Sequence, residues 1–154
     1  NIKAVASFFI SRIDTAIDKQ LPEHLQGKTA ISLAKIAYST YNELFGGEKF
    51  NNLGQAGAMA QFLLFASTGT KNPQYSDVLY IEELIGKNTT NSTLDAFRDH
   101  GIARNSLIED IDIAHTVLKE VDNIVNLDKL GEQLQVNGLM LFEDSFNSLL
   151  ELVK

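Results

Sequence analysis

Two short segments of this sequence combine hydroxyl and cationic side chains at the ends of apolar runs. Ser7 lies inside the first apolar run and Arg12 follows it, whereas Ser67 and Lys71 follow a second run, residues 61–66. A guanidinium, an ammonium group and hydroxyl groups can together hold an anion such as a phosphate ester. These four side chains are therefore our candidates for a phosphate-binding site.

The first apolar run indicates how the earlier pair would be positioned. Residues 4–14 predict a buried β-strand that delivers Ser7 and Arg12 at its C-terminal end. Ser7 shares a strand face with Val5 and Phe9, so its hydroxyl would need a hydrogen-bonding partner. In α/β sheets, ligands bind at the C-terminal ends of the strands, which suits this placement.

Helical patterns follow both apolar runs. Residues 11–21 have a helical stripe, so Arg12 would also lie beside the free N–H groups of a helix N-terminus. A longer helix is predicted over residues 27–45, and Ser76 would begin another that reaches Ile85. Residues 88–91 form at most a weak strand. The rest is predicted to be helical, with capping boxes at Ser92/Asp95 and Ser106/Glu109 and helices over 111–124, 127–136 and 139–153.

Strands that alternate with helices predict an α/β fold with a parallel sheet. Two firm strands and one weak strand leave the sheet edges uncovered, so we expect earlier strands outside this sequence to complete the sheet. A first residue Asn1 in place of Met is likewise expected of a fragment or a processed chain.

Alternatives remain open for both cations. Arg12 could pair with Asp14 or another carboxylate at the surface. Residues 67–73 could be a solvated turn, since small polar residues favour turns. Their order of glycine, lysine and hydroxyl does not match the phosphate-binding GxxxxGK[ST] motif, which argues against a nucleotidase.

Composition excludes several other functions. A net charge of -7 argues against a general nucleic-acid binder, and the absence of cysteine excludes disulfides and thiolate metal sites. No apolar run has the length of a membrane span and the first residues lack a signal-peptide pattern, so the expected compartment is the cytoplasm. His24, His100 and His115 have no metal-ligand spacing, and the acidic pairs 82–83 and 109–110 are predicted to be solvated.

Two strings of residues carry a family resemblance. Residues 5–15, VASFFISRIDT, and residues 64–73, LFASTGTKNP, resemble transaldolases of the longer bacterial form. The similarity continues through residues 75–86 and 94–101, and more weakly to the final helix. It covers nearly the whole chain as a C-terminal portion of that family.

The resemblance implies a TIM-type (β/α)8 barrel, of which this chain would hold about strands six to eight and the C-terminal helices. Residues 1–101 would contain those strands with their helices, residues 88–91 being the eighth strand. Residues 102–154 would form a C-terminal helical extension that packs on the barrel.

The resemblance also implies a reaction. Transaldolases move a dihydroxyacetone unit from sedoheptulose 7-phosphate to glyceraldehyde 3-phosphate in the pentose phosphate pathway, through a Schiff base on a lysine and without cofactor or metal. Ser7 and Arg12 match a serine and an arginine that contact the substrate, the arginine binding phosphate, and Ser67 matches a further serine. Gly69 stands where the shorter form of the family has arginine, so Lys71 would replace that phosphate contact.

Other parts of the family's machinery have no counterpart in the sequence. The Schiff-base lysine of an IKIP-like strand, the acid/base aspartate and glutamate, and the DGVTSNP-like signature are absent. The expected partners are therefore sugar phosphates and the N-terminal part of the same enzyme, with no nucleic acid or membrane. The alternative is a truncated, non-enzymatic homologue that binds sugar phosphates or another chain.

Overall fold

A computed structural model of the protein describes residues 3–86, 89–91 and 95–153. It is mostly helical and contains a small parallel sheet. In chain order, the strands and α-helices of this described part are β1 (Val5–Phe9), α1 (Ile10–Ile17), α2 (Thr29–Gly46), α3 (Glu48–Gln55), β2 (Phe62–Ala66), α4 (Leu79–Glu83), β3 (Thr89–Asn91), α5 (Asp95–His100), α6 (Ile111–Asp122) and α7 (Leu127–Leu152).

The sheet has the order β1-β2-β3, and both pairs of strands are parallel. The register places Phe9 opposite Ala66, so β1 and β2 end at the same level. Parallel neighbours need a crossover connection, and α1, α2 and α3 form the connection between these two strands. The predicted α/β class and parallel sheet are confirmed, including the weak third strand, which is β3.

The first strand is shorter than predicted. β1 ends at Phe9 and α1 begins at Ile10, so residues 10–14 are helical and not extended. The reason is the spacing of Ile10, Ile13 and Ile17, which are all buried because a helix turns them toward the core.

The first strand is also less buried than predicted. The face that carries Val5, Ser7 and Phe9 is exposed, with Val5 at 54% and Phe9 at 37%. The Ser7 hydroxyl therefore lies on an accessible surface of this chain, and the prediction that it is buried among side chains is wrong.

The core is centred on α2. Ala30, Ala34, Tyr38 and Tyr41 recur at helical spacing and are buried, which explains why this segment folds as a helix. Both α1 and α6 pack against α2. Because α6 follows the predicted domain boundary at residue 101, its packing joins the two predicted regions, and the boundary itself stays a prediction.

The start of α6 differs from the predicted capping box. Ser106 lies in a short 3-10 helix, Ser106–Ile108, and its Oγ accepts a 3.1 Å hydrogen bond from the N–H of Ile85. Asp110 directly precedes α6 with a left-handed φ of 56°. Ser106 therefore ties the segment after α4 to this turn instead of capping α6. The other predicted capping residue, Ser92, lies outside the described residues.

The two helices predicted over 127–136 and 139–153 are one helix, α7. Asn126 caps it, since its Oδ1 accepts a 2.8 Å hydrogen bond from the N–H of Lys129. Much of the second half is exposed and apolar, including Phe142, Phe146 and Leu149. Within the described residues, we find no helix with the length and apolarity that a membrane crossing requires.

Candidate functional site

The polar clusters after β1 and β2 meet at one edge of the sheet. The N–H of Ser11 in α1 donates a 3.1 Å hydrogen bond to the carbonyl oxygen of Ser67, the residue that follows β2. Ser67 adopts a left-handed φ of 55°, which is uncommon for a residue other than glycine. The chain therefore turns sharply out of the sheet here and is bonded to the first turn of α1.

Arg12 projects from the exposed side of α1. Its guanidinium carbon lies 5.0 Å from the centre of the Phe9 ring, a cation–π contact that orients the side chain without neutralising its charge. The alternative pairing with Asp14 does not occur, because Asp14 is buried and bonds other groups. Among the ion pairs of the described residues, none includes Arg12.

Three of the four predicted site residues line the same cavity. Arg12, Ser67 and Lys71 border a space of about 460 Å³, which is closed on one side by Asn137 and neighbouring residues of α7. Thr15, which was not predicted as a site residue, also lines this space. The volume and the two cations suit a small anionic ligand.

Ser7 lies in a second cavity of about 370 Å³ that shares Arg12 with the first. Phe9 and Phe142 also line this second cavity, which makes it more apolar. Arg12 therefore lies between the cavity that contains Ser67 and Lys71 and the more apolar cavity that contains Ser7.

The helix N-terminus contributes less than the sequence suggested. Arg12 was expected to lie beside free backbone N–H groups at the start of α1. One of these groups, the N–H of Ser11, is already bonded to the carbonyl oxygen of Ser67. The positive charge available at this edge therefore comes chiefly from Arg12 and Lys71.

A pair of carboxylates that was not predicted from the sequence, Asp14 and Asp18, lies behind this site. Asp14 Oδ1 accepts a 2.9 Å hydrogen bond from the N–H of Ala30, and Oδ2 accepts a 2.8 Å bond from the Tyr80 hydroxyl. Burial raises the pKa of Asp14 to about 6, although these hydrogen bonds oppose the rise. The same burial and the nearby Asp14 charge raise the pKa of Tyr80.

Asp18, one helical turn after Asp14, repeats this arrangement. Its Oδ1 accepts a 3.1 Å hydrogen bond from the N–H of Gly27, and its Oδ2 accepts a 2.7 Å bond from the Tyr75 hydroxyl. Burial and the Asp18 carboxylate raise the pKa of Tyr75 to about 12. The i, i+4 spacing of Asp14 and Asp18, beside the apolar stripe of the helix, is the sequence pattern from which this pair of carboxylates could have been predicted.

A second unpredicted network joins α2 to α4. Lys35 is buried and its Nζ donates a 2.9 Å hydrogen bond to Glu83, which also accepts a bond from Arg104. Burial alone would raise the pKa of Glu83, but the bonds from Lys35 and Arg104 outweigh it and lower that pKa. Arg104 also bonds Glu109 at 2.8 Å. Glu83 is partly buried and paired, so the prediction that it is solvated is wrong, whereas Glu109 is paired but its side chain stays 41% exposed.

The histidines occupy surface positions. His100 contacts Asp77 and Asp99 at 2.9 and 3.1 Å, and these hydrogen bonds raise its pKa. His24 lies 3.5 Å from Glu120. Within the part of the chain that the structure describes, no group of three or more acidic or histidine side chains could hold a metal ion.

Comparison with known proteins identifies the family. The sequence model for transaldolase and fructose-6-phosphate aldolase matches residues 1–153. A transaldolase of Neisseria meningitidis serogroup C / serotype 2a is 47% identical over 155 residues, which are 97% of this chain and 44% of the relative. A transaldolase of Thiobacillus denitrificans is 46% identical over 160 residues, or 96% and 45% of the two chains.

A transaldolase of Thermobifida fusca is 39% identical over 165 residues, or 99% of this chain and 45% of the relative. The chain thus spans less than half the length of these relatives, and it corresponds to a C-terminal portion of them. The match of the family model along almost every residue shows that this chain belongs to the transaldolase/fructose-6-phosphate aldolase family.

Proposed function

We propose that this chain is the sugar-phosphate-binding portion of a transaldolase. The observation that carries the proposal is the convergence of Arg12, Ser67 and Lys71 on one cavity of about 460 Å³. This cavity lies where β1 and β2 end, which is the usual location of ligands in parallel α/β structures. The relatives are named transaldolases, which supports the transaldolase reaction as the one whose substrate binds in this cavity.

In the proposed reaction, a dihydroxyacetone unit passes from sedoheptulose 7-phosphate to glyceraldehyde 3-phosphate in the pentose phosphate pathway of the cytoplasm. A lysine outside residues 1–154 forms the Schiff base, and neither cofactor nor metal takes part. β1, β2 and β3 serve as the sixth to eighth strands of a barrel, with α7 among the C-terminal helices. This chain then supplies substrate recognition, while the remaining length of the enzyme supplies the bond-making groups.

Each site residue has a distinct role in this proposal. Arg12 binds the phosphate through two N–H groups of its guanidinium, which donate hydrogen bonds to two phosphate oxygens at once. Lys71 adds a second positive charge, in place of the arginine of the shorter family members. The Ser67 hydroxyl bonds the phosphate, and Ser7 contacts the sugar from the neighbouring cavity.

Trapping the covalent intermediate tests the proposal. The complete gene product is incubated with fructose 6-phosphate and borohydride, which reduces a Schiff base to a stable amine. We expect one adduct, mapped by peptide mass spectrometry to a lysine outside this sequence, and its loss in Arg12→Ala at the same sugar concentration. An adduct on any lysine of residues 1–154 would overturn the proposed division of roles.

The exposed surfaces support a second candidate, a non-enzymatic homologue. The outer face of β1 and the apolar side chains of α7 are accessible and could contact another chain. Under this alternative the gene product binds inorganic phosphate in an Arg12-dependent manner but gives no borohydride adduct. The same experiment, combined with a phosphate titration, therefore separates the two functions.

A further inference from the structure

Asp14 and Asp18 join α1 to the same two parts of the chain. Each carboxylate accepts one hydrogen bond from a main-chain N–H at or just before the start of α2. Each also accepts one from a tyrosine hydroxyl in the segment after β2, Tyr75 for Asp18 and Tyr80 for Asp14. Four hydrogen bonds thus hold α1, the start of α2 and the segment after β2 together.

The two cations of the site lie on the segments that these bonds join. Arg12 precedes Asp14 by two residues, so the two side chains leave α1 on different sides, Arg12 exposed and Asp14 buried. Lys71 precedes Tyr75 by four residues in the segment after β2. Asp18, Lys71 and Tyr75 line a common cavity of about 370 Å³, which places the Asp18–Tyr75 bond next to Lys71.

The Tyr75 ring packs against Gly27. Gly27 has a left-handed φ of 70°, and a Cβ at this residue would lie 3.0 Å from the nearest Tyr75 ring atom. The ring is therefore seated against the backbone that donates to Asp18. The hydroxyl bond to Asp18 and the ring contact with Gly27 together restrict the position of Tyr75 relative to α1.

We propose that Asp18, acting through Tyr75, is a positioning residue that sets the separation of Arg12 and Lys71 at the phosphate-binding cavity. Neither Asp18 nor Tyr75 touches the ligand in this role. Without their hydrogen bond, the part of this segment that carries Lys71 is held less firmly to α1, although Tyr80 still bonds Asp14, so Arg12 and Lys71 contact the same phosphate less often. The inference rests on the proposed function, because it assumes that Arg12 and Lys71 bind one phosphate.

Tyr75→Phe in the complete gene product tests the proposal, since it removes the hydroxyl and keeps the ring. With inorganic phosphate as the probe in a calorimetric titration, we expect about five- to tenfold weaker binding, the loss of one hydrogen bond to a charged group. The KM for fructose 6-phosphate should rise by a similar factor while kcat stays within about twofold. Asp95→Asn, at an exposed carboxylate of α5, is the matched control and should leave both values unchanged.

Asp18 variants separate positioning from general destabilisation. Asp18→Asn keeps an acceptor for Gly27 and a bonding partner for Tyr75, so it should bind phosphate within about twofold of the wild type. Asp18→Ala should reproduce the loss seen in Tyr75→Phe. If circular dichroism shows that Tyr75→Phe is unfolded, the inference is tested by comparing Asp18→Asn with Asp18→Ala. Equal phosphate binding by these two variants overturns the inference.

The results also distinguish the inference from the proposed function. Phosphate binding that requires Arg12 but is unchanged in Tyr75→Phe overturns the inference alone. Wild-type protein that binds no phosphate, or binds it equally well after Arg12→Ala, overturns the proposed function and the inference with it.

Discussion

The N–H of Ser11 is hydrogen-bonded at 3.1 Å to the carbonyl oxygen of Ser67, which joins the first turn of α1 to the residue that leaves β2. Arg12 is the next residue after Ser11, so the bond keeps its backbone close to the hydroxyl of Ser67. Arg12 and Ser67 are 55 residues apart in the sequence, yet this main-chain contact and the pairing of β1 with β2 bring them together. A site built on such a contact needs little ordering when a ligand binds.

We expect Arg12→Ala to weaken inorganic phosphate binding by about ten- to a hundredfold, the range for loss of a charge-assisted, two-point contact. Arg12→Lys should recover only a small part of this loss, because an ammonium group cannot form the paired N–H contacts of a guanidinium. Calorimetric titration of the complete gene product measures both variants. Arg98→Ala, at an exposed arginine in α5, is the control, and full recovery by Arg12→Lys would contradict the two-point contact.

Lys71→Ala tests whether this lysine takes over the phosphate contact of the family's arginine. We expect the KM for both sugar phosphates to rise by about three- to tenfold, since an exposed cation contributes less than a buried or two-point contact. Steady-state kinetics of the complete gene product provides the measurement, with the exposed Lys119 of α6 replaced by alanine as the control. An unchanged KM for both sugar phosphates would remove Lys71 from the site.

Local patterns predicted the parts of the fold that depend on neighbouring residues. The apolar runs predicted β1 and β2, and the polar residues that follow them predicted the meeting of Arg12, Ser67 and Lys71 at one edge. The spacing of isoleucines predicted a helix after β1, although the hydrophobic run concealed where the strand stops.

Contacts between distant residues could not be predicted in this way. Lys35 and Glu83 are 48 residues apart, and Asp14 and Tyr80 are 66 apart. Each of these pairs forms only because helices pack in a particular arrangement, which no local spacing encodes. Glu83 was therefore predicted to be solvated, whereas the structure partly buries it and pairs it with Lys35 and Arg104.

Asp14 should make stability depend on pH in a direction opposite to that of a salt-bridged carboxylate. Burial raises its pKa from 3.8 to about 6, so the folded state binds the proton more tightly than the unfolded state. The resulting stabilisation is complete below about pH 4 and is lost as the pH rises to about 6, a change of at most about 3 kcal/mol.

Urea unfolding of the wild type and Asp14→Asn between pH 4 and 7 measures this contribution, because asparagine keeps the shape of the side chain without titrating. The free energy of unfolding of the wild type should fall relative to that of the variant as the pH rises. If the free energy of unfolding of the wild type minus that of Asp14→Asn stays constant or increases with pH, the pKa of Asp14 is not raised in the folded protein.

The 154-residue chain on its own should self-associate. Val5 and Phe9 on β1, with Phe142 and Phe146 on α7, present apolar side chains to solvent, and β1 is an edge strand of the described sheet. Sedimentation velocity should show species larger than 17.0 kDa that grow with concentration. Replacing Phe142 and Phe146 by serine should reduce the association, whereas a monodisperse monomer with sharp cooperative unfolding would contradict the prediction.

Gly27→Ala should destabilise the protein by about 1 to 3 kcal/mol and weaken phosphate binding through Tyr75. Two costs add at this residue: the left-handed φ of 70° strains any side chain, and the new methyl group would lie 3.0 Å from the Tyr75 ring. Gly54→Ala in α3 is a matched control, because outside its chain neighbours and its own helix backbone no atom lies within 4 Å of its Cβ position, and alanine favours a helix. Urea unfolding should therefore show a loss of stability in the first variant and no loss in the second, and equal effects would contradict the close packing of Tyr75 on Gly27.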